Sequence, residues 1–247
     1  MKRDLRSWYS PALQREMPIA QYGDYGFALL LIPTAAADYL EYERFYLIDA
    51  IKDFIEAGQI RAYSINSVNK YSLLNKESHP GWKVEMLSRY DSYIMQEVLP
   101  LIRNECGSDA RPLTTGASLG ALLAANTYFK HSDNFRGTIA MSGSYDIYNY
   151  LEDHFDDNVY YNNPSMYLKN LDDDYHLPRL RQGDFAVIVS GQGNYEAPDR
   201  SRDLSGLLSS KGIPHRLELW GHDVAHDWPW WRKMLPYYLG EFLRVNG

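Results

Sequence analysis

Residues 113–121 read Leu-Thr-Thr-Gly-Ala-Ser-Leu-Gly-Ala, and this stretch constrains the fold more than any other. Residues 113–115 end a short extended run, and residues 119–129 are small and apolar enough to form a buried helix. A strand that turns straight into a helix through Gly-x-Ser-x-Gly places the serine on a strained corner, where flanking Cβ atoms would clash. Gly116 and Gly120 remove those atoms. The helix then points free N–H groups and its positive dipole end toward the Ser118 oxygen, which favours a developing oxyanion. The same pattern fits a tight turn without chemistry. The rest of the chain must therefore supply a base and an acid.

Around this corner the sequence alternates between strand and helix. Residues 7–9 and 16–22 predict an N-terminal strand pair, and residues 27–32 form a continuous apolar run, as in a strand buried on both faces. Leu47, Ile48, Ile51, Phe54 and Ile55 recur at helical spacing before Gly58. Further strands are expected at 60–65, 137–141, 185–190 and 215–220, and helices at 86–103 (kinked by Pro100), 201–210 and 228–243. This rhythm predicts a mostly parallel sheet with helices on both faces, built as a single domain over 1–247. Residues 142–182 interrupt it with a Tyr-, Asp- and Asn-rich stretch. They are expected to form a loop-rich excursion, either a solvated surface or a wall over the site. Tyr145, Asp146 and Trp228 are the candidate wall residues, and this aromatic and acidic composition suits a sugar or another polar alcohol.

In a parallel sheet the ligand lies beyond the carboxyl ends of the strands, so partners of Ser118 are sought in the loops there. A serine hydroxyl needs a base, and the base needs an orienting group. Of seven histidines, His222 and His226 fall between the last strand and the last helix. His226 is preferred because Asp227 can cap the helix and Pro229 suits its first turn. His222 is the alternative base, and the two together could form a metal pair, though no further ligands cluster nearby in the sequence. The loop after residue 190 offers Glu196 and Asp199 as the acid. Asp199 also reads as a helix cap, so Glu196 is preferred and Asp199 is the alternative. One oxyanion donor is expected from the Leu119 N–H and a second from Thr34 or Ala35. The order Ser, acid, His is that of the α/β-hydrolases.

The formal net charge of −7 and the lack of a basic block argue against a nucleic-acid partner. A single cysteine, Cys106, rules out an internal disulfide framework and fits a reducing compartment. Met1-Lys2-Arg3-Asp4-Leu5-Arg6 is followed by no apolar segment, and no run approaches the ~20 apolar residues of a membrane span. A cytoplasmic location without membrane attachment is expected.

Several motifs resemble the esterase D-like "putative esterase" family of the α/β-hydrolase superfamily. They are Gly116-Ala117-Ser118-Leu119-Gly120-Ala121, Met141-Ser142-Gly143-Ser144, Lys211-Gly212-Ile213-Pro214-His215 and Trp220-Gly221, and the closing His226-Asp227-Trp228-Pro229-Trp230-Trp231. That group includes S-formylglutathione hydrolases, feruloyl and acetylxylan esterases, enterochelin esterases and mycolyltransferases. The resemblance implies an α/β-hydrolase fold, Ser118 as nucleophile and His226 as base. It also implies an acid close to the strand end, where this chain has Asn194, with Glu196 two residues on. The expected activity is serine carboxylester hydrolysis of a small-molecule ester through an acyl-enzyme, with no metal or organic cofactor. An acyltransferase using the same site, or a degenerate hydrolase fold that only binds, are the alternatives.

Overall fold

A computed structural model describes residues 1–183 and 185–246. Eight strands form one sheet: β1 (Arg3–Ser10), β2 (Arg15–Tyr22), β3 (Phe27–Ile32), β4 (Ile60–Ile65), β5 (Leu113–Ala117), β6 (Gly137–Met141), β7 (Phe185–Ser190) and β8 (Arg216–Leu219), in the order β1-β2-β4-β3-β5-β6-β7-β8. The β1–β2 and β2–β4 pairs are antiparallel, and every other pair is parallel.

Alternation along the strands divides the core. In β3, Leu30 and Ile32 join one buried cluster while Leu29 and Leu31 join the other. The first cluster is covered by α4 (Pro80–Tyr93), α5 (Leu99–Cys106), α6 (Leu119–Lys130) and α10 (Pro198–Ser210). The second lies under α1 (Glu41–Arg44), α2 (Leu47–Ala50), α3 (Lys52–Glu56) and α11 (Trp228–Asn246). With both faces covered, β3 is apolar throughout rather than alternating with polar residues, and the threonines of β5 are buried.

Three expectations are corrected. The helix expected over Leu47 to Ile55 is two short helices, α2 and α3, because Ile51 leaves helical geometry (φ −108°, ψ 8°), and left-handed Tyr46 (φ 60°) separates them from α1. Leu47, Ile48, Ile51 and Ile55 are nevertheless all buried, so the spacing marked the face and not the continuity. The long helix before β5 bends through a π turn at Ile94–Val98, just before Pro100. Residues 142–182 are not a loop-rich excursion: they hold α7 (Asp157–Asn162), α8 (Pro164–Asn170) and α9 (His176–Arg181). Ile147, Leu151, Val159, Leu168 and Leu180 are buried there, and Asn162 donates to Ser88 of α4 at 2.8 Å.

The topology creates the crevice. From β3 the chain runs through α1–α3 on one face of the sheet, whereas from β5 it runs through α6 on the other. β3 and β5 are neighbours, with Ile32 opposite Gly116. The loops leaving them part in opposite directions and open a cleft at their carboxyl ends. Gly120 seats the helix in it. A Cβ there would lie 2.5 Å from Pro33 O and overlap Ile32 O, and one on Gly116 would overlap the Gly120 carbonyl. Gly120→Ala should therefore lower unfolding free energy by about 2–3 kcal/mol, because backbone on both sides cannot yield. Urea denaturation measures this. Unchanged stability would mean that the close approach of β3 and α6 does not matter.

Candidate active site

Ser118 directly follows β5 and is the N-cap residue of α6, at φ 58° and ψ −124°. A side chain in that region costs on the order of 1–3 kcal/mol, so the surrounding structure must hold it there. Two anchors do so: the Ser118 N–H donates to Met141 O at 2.9 Å, and α6 is buried from Leu119 to Phe129. The hydroxyl is left half-buried at the cleft, and it makes no hydrogen bond among the described residues.

The next strand repeats the corner. Ser142, directly after β6, is also left-handed (φ 54°), and its N–H donates to Val189 O at 2.7 Å. Its hydroxyl accepts from Trp231 Nε1 at 3.0 Å and donates to Glu196 Oε1 at 2.6 Å. The other carboxylate oxygen, Oε2, lies 3.1 Å from Ser190 Oγ and 3.4 Å from His226 Nδ1. The Glu196 side chain is 1% exposed. Burial pushes its carboxyl up, but hydrogen bonds from His226, Ser142 and Ser190 and the attraction of His226 outweigh it, so the net shift is downward. Glu196 is thus a buried carboxylate held in the charged form. Sequence reasoning missed Ser142, Ser190 and Trp231 as its supports. The only signal for them was a serine at the end of each neighbouring strand.

His226 lies in the loop between β8 and α11, where its N–H donates to Asn194 O at 3.0 Å. Its ring meets Trp231 edge-on, with centroids 5.0 Å apart. The Nδ1···Oε2 separation of 3.4 Å is longer than the ~2.9 Å of a tight bond. Facing Nδ1 to a carboxylate favours the tautomer that leaves Nε2 bare. Asn194, at the position where the resemblance puts the acid, enters through its backbone carbonyl alone.

The remaining candidates separate. Asp199 is not a cap: Ala197 is the N-cap residue of α10, and the Asp199 side chain is 87% exposed and paired with Arg202 at 2.7 Å. His222 is exposed and has no contact with Glu196. The Thr34 N–H is already taken, donating to Glu41 Oε2 at 2.8 Å. That leaves Ala35 as the second oxyanion candidate beside Leu119. Tyr145 is no wall residue: it is 1% exposed in the core, where burial and then the charge of Glu196 push its phenol up. Asp146 Oδ1 accepts from Tyr148 N and Asn163 Nδ2, both at 2.8 Å, so it braces its own loop. Trp228 is half-buried, stacked on Phe45 at 4.4 Å and 4° and edge-on to Trp231.

Several tyrosines and acids of the 142–182 stretch lie elsewhere. Tyr160, Tyr161, Asp172 and Tyr175 line a cavity of about 670 Å³ beside Phe129 and His131, at the C-terminal end of α6. Ser118 is at the N-terminal end, ~18 Å away along a helix of this length. Among the described residues no three His, Cys, Asp or Glu side chains group as metal ligands, and no helix is long and apolar enough to cross a membrane.

A family model described as "Putative esterase" matches residues 41–242. Among solved structures, a ferulic acid esterase is 20% identical with a TM-score of 0.77, over 100% of this chain and 98% of its own. An S-formylglutathione hydrolase from Agrobacterium tumefaciens is 13% identical with a TM-score of 0.73, over 99% and 95%. The fluorophosphonate-binding serine hydrolase FphF from Staphylococcus aureus is 13% identical with a TM-score of 0.70, over 98% of each chain. The chain shares the α/β-hydrolase fold with these proteins. No curated protein matches it in sequence.

The support of Glu196 can be tested through its titration. Its folded pKa is depressed, so its stabilising contribution is present above its ordinary value of 4.5 and is lost as pH falls through the lower folded value. Ser142→Ala removes a donor to the buried carboxylate. It should cost about 1–3 kcal/mol near neutrality, and the stability lost as pH falls below 4.5 should be smaller than in the parent, because the folded pKa moves up toward its ordinary value. Urea unfolding across a pH series reads both. Superimposable curves would show that Ser142 does not support the charge.

Proposed function

The chain belongs to this esterase family and is a carboxylic ester hydrolase, and from that premise we propose a serine mechanism with Ser118 as nucleophile, His226 as base and Glu196 as orienting acid. The observation that carries the reading is the strained Ser118 corner on the N-terminus of α6, with the buried Glu196 carboxylate facing His226 beyond the neighbouring strands. Neither half alone specifies the chemistry, since strained turns and buried ion pairs both occur without it.

In the proposed cycle His226 Nε2 takes the Ser118 proton as Oγ attacks the ester carbonyl carbon. The carbonyl oxygen becomes an oxyanion, held by the N–H groups of Leu119 and Ala35. Collapse of the tetrahedral intermediate breaks the bond to the alkoxy oxygen, and His226 returns the proton to the departing alcohol. Water, deprotonated by His226, then attacks the acyl carbon; the bond to Ser118 Oγ breaks, His226 returns the proton to that oxygen, and the acid leaves. Glu196 stays ionised throughout and stabilises the imidazolium. Preorganisation favours this assignment: a carboxylate already charged and already buried needs little reorganisation when His226 becomes cationic.

The substrate is proposed to be a small-molecule ester, with the Phe45–Trp228 stack contacting its apolar part. The sugar suggested by the Tyr- and Asp-rich stretch loses part of that support, because Tyr160, Tyr161, Asp172 and Tyr175 line the cavity at the far end of α6 and Tyr145 is buried in the core. A cytoplasmic setting is proposed from the single Cys106, half-buried against Tyr63 at 3.3 Å.

Hydrolysis of p-nitrophenyl acetate by variants tests these roles. Ser118→Ala and His226→Ala should each lower kcat by about 10⁴-fold or more, and Glu196→Gln by about 10³- to 10⁴-fold. His222→Ala and Asp199→Asn should stay close to the parent. A damaging His222→Ala beside a silent His226→Ala would move the base to position 222.

A further inference from the structure

The loop after β3 is held more tightly than a small exposed turn requires, and the grip comes from outside it. Asn69, in the segment between β4 and α4, is 0% exposed. Its Nδ2 lies 3.1 Å from Thr34 O and 2.9 Å from Ala35 O. Ser67 Oγ donates to the same Ala35 carbonyl at 3.1 Å. On the other flank, Glu41 accepts from Thr34 N at 2.8 Å and from Thr34 Oγ1 at 2.5 Å. Two carbonyl acceptors converging on one carboxamide fix its orientation, because its oxygen turned to them would repel both. Among the described residues Asn69 Oδ1 has no hydrogen-bond partner of its own, so the donation to the loop accounts for every side-chain bond this buried amide makes there.

Peptide geometry gives this grip a consequence. In a trans peptide the C=O and the following N–H point in opposite directions, and among the described residues every peptide is trans. Drawing the Thr34 carbonyl inward to Asn69 turns the Ala35 N–H outward. Drawing in the Ala35 carbonyl does the same to the Ala36 N–H. Ala35 and Ala36 are both exposed, while Thr34, Ser67 and Asn69 are buried, which matches carbonyls inward and amides toward the cleft. The Ala35 N–H has no acceptor among the described residues.

We propose that Asn69, seconded by Ser67, is a positioning residue for catalysis: it draws the Thr34 and Ala35 carbonyls inward and so aims the Ala35 N–H at the substrate oxyanion. This rests on the reading of Ala35 as an oxyanion donor. Asn69 never touches substrate. Its effect is confined to the state in which the carbonyl oxygen is negative, because a donor that is aimed in advance contributes most where charge develops.

Asn69→Leu keeps the volume and deletes the donor. For p-nitrophenyl acetate, kcat should fall about 10- to 100-fold with KM within about twofold, and the inhibition constant of an alkyl trifluoromethyl ketone should rise in parallel. That ketone adds Ser118 to form a charged tetrahedral adduct, so its affinity reports the oxyanion site. A merely structural residue would not move kcat and ketone affinity together at constant KM. Should Asn69→Leu fail to fold, Ser67→Ala carries the test: it removes the weaker support, and its kcat and ketone affinity should fall together by about two- to fivefold. Ala35→Pro separates the two levels of the argument, since it deletes the N–H itself. Damage by Ala35→Pro with folded Asn69→Leu and Ser67→Ala enzymes at parent kcat and ketone affinity would overturn the role of Asn69 alone. A folded, fully active Ala35→Pro enzyme would overturn the Ala35 donor and the positioning role with it.

Discussion

The candidate site depends on a staircase of backbone hydrogen bonds along the carboxyl edge of the sheet. Ser118 N–H reaches Met141 O, Ser142 N–H reaches Val189 O, and Trp220 N–H reaches Ser190 O, each one strand further along. Parallel register makes such a series possible, because evenly spaced slanted bonds bring corresponding strand ends into line. Ser118, Ser142 and Trp220 each stand one residue beyond their strands, and Ser190 ends β7. Ser118, Ser142 and Ser190 are thus not three independent placements. They are three consequences of one ladder, which is why Ser142 and Ser190, far apart in sequence, can share the Glu196 carboxylate.

Above that ladder the arrangement is electrostatic. A buried carboxylate without donors would take up a proton rather than remain charged. Glu196 avoids this through Ser142, Ser190 and His226, and Ser142 is itself fixed by Trp231 from α11. The last helix therefore helps hold the acid as well as covering the second core. The left-handed backbone at Ser118 and Ser142 is strain that the covered sheet and its helices sustain. Strain at the proposed nucleophile and charge at the proposed acid are both kept by the same packed edge.

Much of the frame was legible in the sequence. The strands at Phe27–Ile32, Ile60–Ile65, Gly137–Met141 and Phe185–Ser190 fall where apolar runs end at polar or small residues. Gly116 and Gly120 mark a corner that is written in steric terms and so is visible in one chain. Local pattern misled where tertiary contacts decide. Ile51 breaks a helix that its neighbours' spacing supports. Tyr145 and Asp146 look like exposed polar residues, yet one is core and the other braces a turn. The support of Glu196 by Ser142 spans 54 residues, and the hold of Asn69 on Thr34 spans 35. A single sequence carries no sign of contacts at that range. Distance to the strand end, which favoured Glu196 over Asp199, is a geometric quantity that spacing does convey: Glu196 faces His226 at 3.4 Å, while Asp199 is exposed beside Arg202.

The central claim is that Ser118 becomes covalently acylated. Mixing the protein with excess p-nitrophenyl acetate, quenching in acid within the first turnovers and reading peptide masses tests it most directly. The account predicts an acetyl group on the peptide containing Ser118, accumulating before steady state and absent from Ser118→Ala. Ester hydrolysis at the full rate with no acyl group on that peptide, or with the group on another residue, would contradict it.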